Sequence, residues 1–226
     1  EPVVFDKAMM DSMGIDASRF LNNPRKVAAA HEMSCRLSTN DRLIHCIVSD
    51  AIHQRYRAKN KKIVAFWDFA ERMLQMMVEC PEGTEIPLDT AIPLSIVYHG
   101  IKLPNGMVLR YPGLEGKLEG TKVRYSFNGG DSGRQREHTY GGKITENIVQ
   151  ALARIIVMYQ ILAIRRNYGY KLVLTTYDEG VMLFPEAEAA IAYQRCLKEF
   201  QTPPWWALWL PIAAEGGFGK VYGDIK

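Results

Sequence analysis

Hydrophobic and polar positions change period near residue 80, and the predicted elements change with them. Up to that point apolar residues recur at helical spacing. Residues 5–13 read as a short helix stopped by Gly14, with Asp16 or Ser18 as the next cap. Asn22-Asn23-Pro24 opens an Ala-rich, basic helix over 25–37, Pro24 standing at a tolerated first-turn position. Ser38-Thr39-Asn40 caps a third helix, 41–56, whose Leu43, Ile47, Ala51 and Tyr56 form one stripe. Lys59-Asn60-Lys61-Lys62 interrupts, and 63–78 make a fourth amphipathic helix carrying Trp67 and Phe69.

Beyond Cys80-Pro81-Glu82-Gly83 the pattern turns strand-like. Residues 94–101 alternate, Leu103-Pro104-Asn105-Gly106-Met107 supplies a hairpin turn, and 108–111 return as its partner. Residues 117–127 give a second hairpin about Gly120, and a loop rich in Gly and charge, 128–138, leads to Tyr140-Gly141-Gly142. A long helix follows over 143–166 and ends before Gly169. Ile148, Leu152, Ile155, Ile156, Tyr159 and Leu162 are its expected apolar face. Residues 172–183 form a tight hairpin with Tyr177-Asp178-Glu179-Gly180 at its tip, and 185–200 an amphipathic helix. The segment around Trp205-Trp206 is assigned to packing, and 210–214 to a final strand. Helices first, then antiparallel strands with helices on one face, predict an α+β fold. The change of composition divides it into lobes 1–80 and 81–226.

Composition narrows this picture. At 226 residues and 47% hydrophobic the chain can bury one good core and a smaller lobe. Charged residues at 23% and a mean hydropathy of −0.15 exclude a disordered or membrane-embedded class. The longest apolar stretch, 144–164, is interrupted by Glu146, Asn147, Gln150 and Arg154, and no signal-peptide pattern opens the chain. The expectation is a soluble, cytoplasmic protein without membrane partners. A net charge of +3 permits nucleic acid without arguing for it. Cys35, Cys46, Cys80 and Cys196 are scattered, so reduced thiols are expected in place of zinc or disulfides. Glu1 is no initiator residue, and the chain is expected to be trimmed or incomplete.

Two stretches carry candidate chemistry. The hairpin tip takes Asp and Gly for backbone reasons alone, as a solvated turn does. The alternative is a divalent-metal site in which the strands fix a carboxylate where a phosphate would lie. On the long helix, Lys143, Asn147, Gln150 and Arg154 share neighbouring turns. They are either a solvated face or a polar stripe laid against a phosphate backbone.

The order of short motifs goes further than any one of them. Y-R-x-x-N-x-x-I-V-x-x-W at 56–67 comes first, then L-P-N-G at 103–106 with a following Y-P. Y-G-G-K-I-T-E-N-I-V-Q-A-L-A-R at 140–154, Y-D-E at 177–179 and L-P-I-A-A-E-G at 210–216 complete the series. This succession resembles the carboxy-terminal part of family-A DNA polymerases, especially the bacteriophage branch, from about residue 50 onward. The resemblance implies that 1–80 are the end of a helical fingers domain and 81–226 an antiparallel palm sheet packed on helices. It implies that Asp178 is one of two aspartates binding catalytic Mg2+, with Glu179 its supporting acidic neighbour. Lys143, Asn147, Gln150 and Arg154 become contacts to primer-template DNA, and dNTP the substrate; Tyr177, replacing the family's usual His, adjoins the primer end.

Ile155 stands where the family often has Asp, and Met107 where Arg commonly follows L-P-x-G. The strand carrying the second metal aspartate and the nucleotide-binding helix are expected upstream of Glu1 or on an amino-terminal partner chain. The chain is accordingly expected to be one portion or subunit of a DNA-directed DNA polymerase, inactive alone. Two alternatives remain: a non-catalytic DNA-binding or assembly protein of polymerase descent, and an unrelated metal-dependent nuclease using Asp178 and Glu179.

Overall fold

A computed structural model describes residues 7–12, 14–32, 38–130, 133 and 135–224. It is an α+β fold, as the patterning predicts, and its contacts separate two compact units, 1–66 and 67–226. The division lies inside a helix, ahead of the compositional change at Cys80.

The first unit is helical. Helices α1 (Lys7–Ser12), α2 (Ser18–Leu21), α3 (Pro24–Glu32) and α4 (Thr39–Lys59) follow one another, and the latter part of the helix expected over 25–37 lies outside the described residues. Gly14 ends the first turn at φ +63°, and the Asp16 carboxylate accepts the Ser18 N–H at 3.0 Å. Ser38 Oγ accepts the Asp41 N–H at 3.2 Å, satisfying a donor that α4 would otherwise leave open. Ile15, Phe20, Ala30, Leu43 and Ile47 make the unit's core.

The second unit is built on two helices. The helix α5 (Lys61–Glu79) buries Ala70, Met73, Leu74 and Met77, a strict i, i+3, i+4, i+7 stripe. The long helix α6 (Gly141–Tyr168) ends on Gly169 in the left-handed region at φ +74°. Its buried residues are Gly141, Ile144, Ile148, Leu152, Val157, Gln160, Ile161 and Ile164. That corrects part of the expected face: Leu162 is 50% exposed, while Gln160 is buried. The Gln160 amide donates to the Phe200 and Thr202 carbonyls at 2.8 and 3.2 Å, which is why the core tolerates it. By length and composition α6 could cross a bilayer, contrary to the expectation of no such stretch; here it is the helix against which α7 and β8 pack.

Among the described residues strand pairing is antiparallel and divided among three sheets. The first joins β1 (Glu85–Pro87), β2 (Ser95–Val97), β3 (Gly100–Lys102) and β4 (Val108–Arg110), with Ile96 and Ile101 paired and buried. The run expected over 94–101 is broken at Tyr98-His99, where His99 adopts φ +50°. The second sheet joins β5 (Glu115–Glu119), β6 (Lys122–Gly129) and β7 (Gln135–Thr139), so much of the expected 128–138 loop is strand. The third is the hairpin β8 (Lys171–Thr176) and β9 (Glu179–Leu183). A short 3-10 turn then leads into α7 (Ala189–Phe200). The strand expected at 210–214 does not form; residues 208–219 carry no helix or strand. Pro204 and Trp206 are buried while Trp205 and Trp209 are exposed, so the aromatic segment packs through part of its side chains only.

Candidate functional site

The hairpin tip is as tight as the sequence suggests. Thr176 pairs with Glu179, leaving Tyr177 and Asp178 as the whole turn. Such a turn needs a positive φ, and Tyr177 supplies it at +51° while the residue is 89% exposed. An aromatic side chain held there gains nothing from packing and meets the steric cost of the left-handed region.

The two tip acids differ in their surroundings. Asp178 is exposed and has no hydrogen-bond or ion-pair partner among the described residues. Glu179 is engaged, because the Tyr222 hydroxyl lies 3.0 Å from each of its carboxylate oxygens. The Tyr222 hydroxyl has its pKa raised, first by that hydrogen bond and then by the carboxylate's charge.

The helix α6 brings one of its four expected residues to the tip. The Arg154 guanidinium donates to the Tyr177 carbonyl at 3.4 Å and to Thr175 Oγ1 at 3.3 Å, long bonds that nonetheless span helix and turn. The other three lie on earlier turns of the same stripe. Lys143 pairs with Glu146 at 2.9 Å, and that hydrogen bond raises its pKa. The Gln150 amide donates to the other Glu146 oxygen at 3.2 Å. The Asn147 amide turns inward and donates at 2.9 Å to the hydroxyl of Tyr111. Burial raises the Tyr111 pKa, and the Asn147 bond and Lys143 charge oppose that shift. Lys143 and Gln150 therefore present an exposed face laced through Glu146, while Asn147 is half-buried.

Several contributors carried no sequence signal of their own. Glu71 on α5 accepts the Gly141 N–H at the start of α6, capping a helix whose own N-cap residue, Tyr140, makes no side-chain cap. A Cβ on Gly141 would lie 2.1 Å from the Trp67 carbonyl oxygen and 2.8 Å from the Glu71 nitrogen, so the tyrosine-glycine-glycine string marks a backbone contact between α5 and α6. Tyr111 was visible only as the tyrosine after the Leu103–Gly106 turn. Tyr222 was not visible at all.

Among the described residues no three His, Cys, Asp or Glu side chains converge to hold a metal ion. Of the two acids at the hairpin tip, Asp178 keeps its oxygen donors unengaged while Glu179 is bonded to Tyr222, and magnesium commonly takes one or two carboxylates together with substrate phosphates and water. The residues present fit one arm of such a site. The second arm is not among them.

No protein-family model matches the chain, and no solved structure matches it. A DNA polymerase of Bacillus phage SP02 is 32% identical to it over 175 residues, which are 74% of this chain and 26% of that polymerase. The matched part is thus about a quarter of the relative's length. That similarity supports a polymerase-related family for this chain.

Proposed function

We propose that this chain serves DNA-directed DNA synthesis as the carboxy-terminal portion, or a separate subunit, of a bacteriophage-type family-A polymerase. The observation that carries the proposal is the similarity to the phage polymerase over 175 residues. The acid-tipped hairpin, tied through Arg154 to the polar stripe of α6, agrees with it. In this reading residues 1–80 are the end of the fingers, and 81–226 the palm. Asp178 would hold one Mg2+ ion, whose chemistry is activation of the primer 3′-hydroxyl and neutralisation of charge on the triphosphate.

This chain's own residues do the rest by position. Arg154 braces the turn that presents Asp178. Lys143 and Gln150 face outward, where amide and ammonium groups meet minor-groove acceptors and phosphates present at every base pair. Asn147 acts from further in, through Tyr111. The second metal aspartate and the nucleotide-binding helix come from polymerase sequence upstream or from an amino-terminal partner chain. The setting is the cytoplasm of the host cell.

Primer extension tests the reading. The chain alone gives no extension, extension appears with polymerase sequence carrying the second aspartate, and Asp178→Asn lowers it by at least about a thousandfold. Extension undiminished by Asp178→Asn would overturn the assignment. A second reading, a non-catalytic DNA-binding or assembly protein of polymerase descent, is favoured by Tyr177 in place of His and by Ile155 and Met107 where the family commonly has Asp and Arg. Salt-sensitive duplex binding with no extension in any combination would select it.

A further inference from the structure

Residues 211–219 have no regular secondary structure, yet contacts hold the segment that contains them at both ends. The Gln201 amide, just past α7, donates to the Ala214 carbonyl at 3.3 Å. The Phe218 ring then lies 5.8 Å from that of Tyr193 on α7. Lys220 pairs with Glu186 at 3.2 Å, and two residues on the Tyr222 hydroxyl reaches Glu179. The ion pair is fully exposed and holds little by itself. The aromatic contact and the hydroxyl are what seat the strap.

That seating has a chemical consequence. A phenol carries one proton, so Tyr222 donates to one Glu179 oxygen at a time while remaining equidistant from both. The acceptor capacity that Glu179 could turn toward a cation is thereby shared with a protein donor. Asp178, one residue away, keeps all of its own.

We propose that Tyr222 is a positioning residue: the carboxy-terminal strap holds the Glu179 carboxylate aside, so that a divalent cation at the hairpin tip is taken by Asp178 alone. The proposal rests on the reading of Asp178 as the metal-binding acid. It gives the adjacent acids separate tasks, and it makes the segment from Ala214 to Tyr222 part of the site.

The test is Mn2+ binding by the whole chain, followed as paramagnetic broadening of the 176–181 amide resonances in a 15N-labelled sample. Tyr222→Phe keeps the ring and frees Glu179, so the tip binds Mn2+ about three- to tenfold tighter as a second carboxylate joins. Phe218→Ala, which loosens the strap without touching Glu179, moves the midpoint the same way. Adding Glu179→Gln to either variant returns it to the parent value. A Tyr222→Phe midpoint equal to the parent's, or a tightening that survives Glu179→Gln, overturns the proposal. Asp178→Asn judges the underlying reading separately: broadening that persists undiminished in that variant removes Asp178 as the metal ligand, whatever Tyr222→Phe does.

Discussion

At Tyr177 two demands meet in one residue. The two-residue turn requires positive φ, which Gly meets without cost, and the chain places there an aromatic residue that is almost wholly exposed. Folding alone would favour the smaller residue. Tyr177→Gly is therefore expected to raise stability by up to about 1 kcal/mol, read as a higher urea midpoint. Under the proposed function, in which Tyr177 adjoins the primer end, the same substitution is expected to lower primer extension with the complementing polymerase sequence. A variant both less stable and fully active would contradict this account of the tip. Gly141 is the opposite case, since there only Gly fits. A methyl group on it meets backbone atoms of α5, which cannot move without shifting the whole helix. Gly141→Ala is expected to cost about 2–4 kcal/mol in chemical denaturation. Its neighbour Gly142 meets only the Tyr140 ring, a side chain able to swing away, and Gly142→Ala costs less.

At the scale of elements, legibility followed the periodic burial of side chains. The α5 stripe and the Asn105-Gly106 hairpin were readable because one face of each is apolar and the turn residues are specific. The strand β7 was not: Gln135, Arg136, Glu137 and His138 are all exposed, and it is held by backbone pairing to β6 and by the Arg136 guanidinium, which bonds Ser126 and Asn128 and pairs with Glu115. The strand expected at 210–214, Leu-Pro-Ile-Ala-Ala, finds no pairing strand. The tip acids and the α6 stripe were each legible, but the engagement of Glu179 by Tyr222 is a contact between distant segments with no local pattern. The turn between β2 and β3 shows how such tertiary context sets pH behaviour. His99 donates its backbone N–H to the Met77 carbonyl at 3.2 Å, accepts the Tyr111 N–H at 2.8 Å, and has its imidazole pKa lowered by desolvation. The folded state thus disfavours the imidazolium. The contribution of neutral His99 is fully present above the unfolded value near 6.5, and is lost as pH falls below it toward the lowered folded value. His99→Asn, which tolerates the left-handed backbone and does not titrate, should flatten the decline of thermal midpoint between about pH 6.5 and 5. An unchanged slope would show that other groups set it.

Across the whole molecule charge is unevenly shared. Residues 1–66 hold eleven Lys and Arg against seven Asp and Glu, while 67–226 hold seventeen against eighteen. The excess is concentrated where α4 gives way to α5: Arg55, Arg57, Lys59, Lys61 and Lys62 fall in eight residues, and no acid occurs between Asp50 and Asp68. Lys59, Lys61 and Lys62 are exposed and form no ion pair among the described residues. Lys143, by contrast, shares its charge with Glu146. Phosphate contacts made by unpaired lysines release counterions, and each lowers the logarithmic salt slope of duplex binding by about one unit. Replacing Lys59, Lys61 and Lys62 together by Gln is therefore expected to flatten that slope by about 2–3 units, against less than about one for Lys143→Gln. Fluorescence anisotropy on a labelled primer-template across a salt series reads both. Equal slopes for the triple variant and the parent would mean that the basic junction makes no phosphate contact, and would leave duplex binding to the α6 stripe.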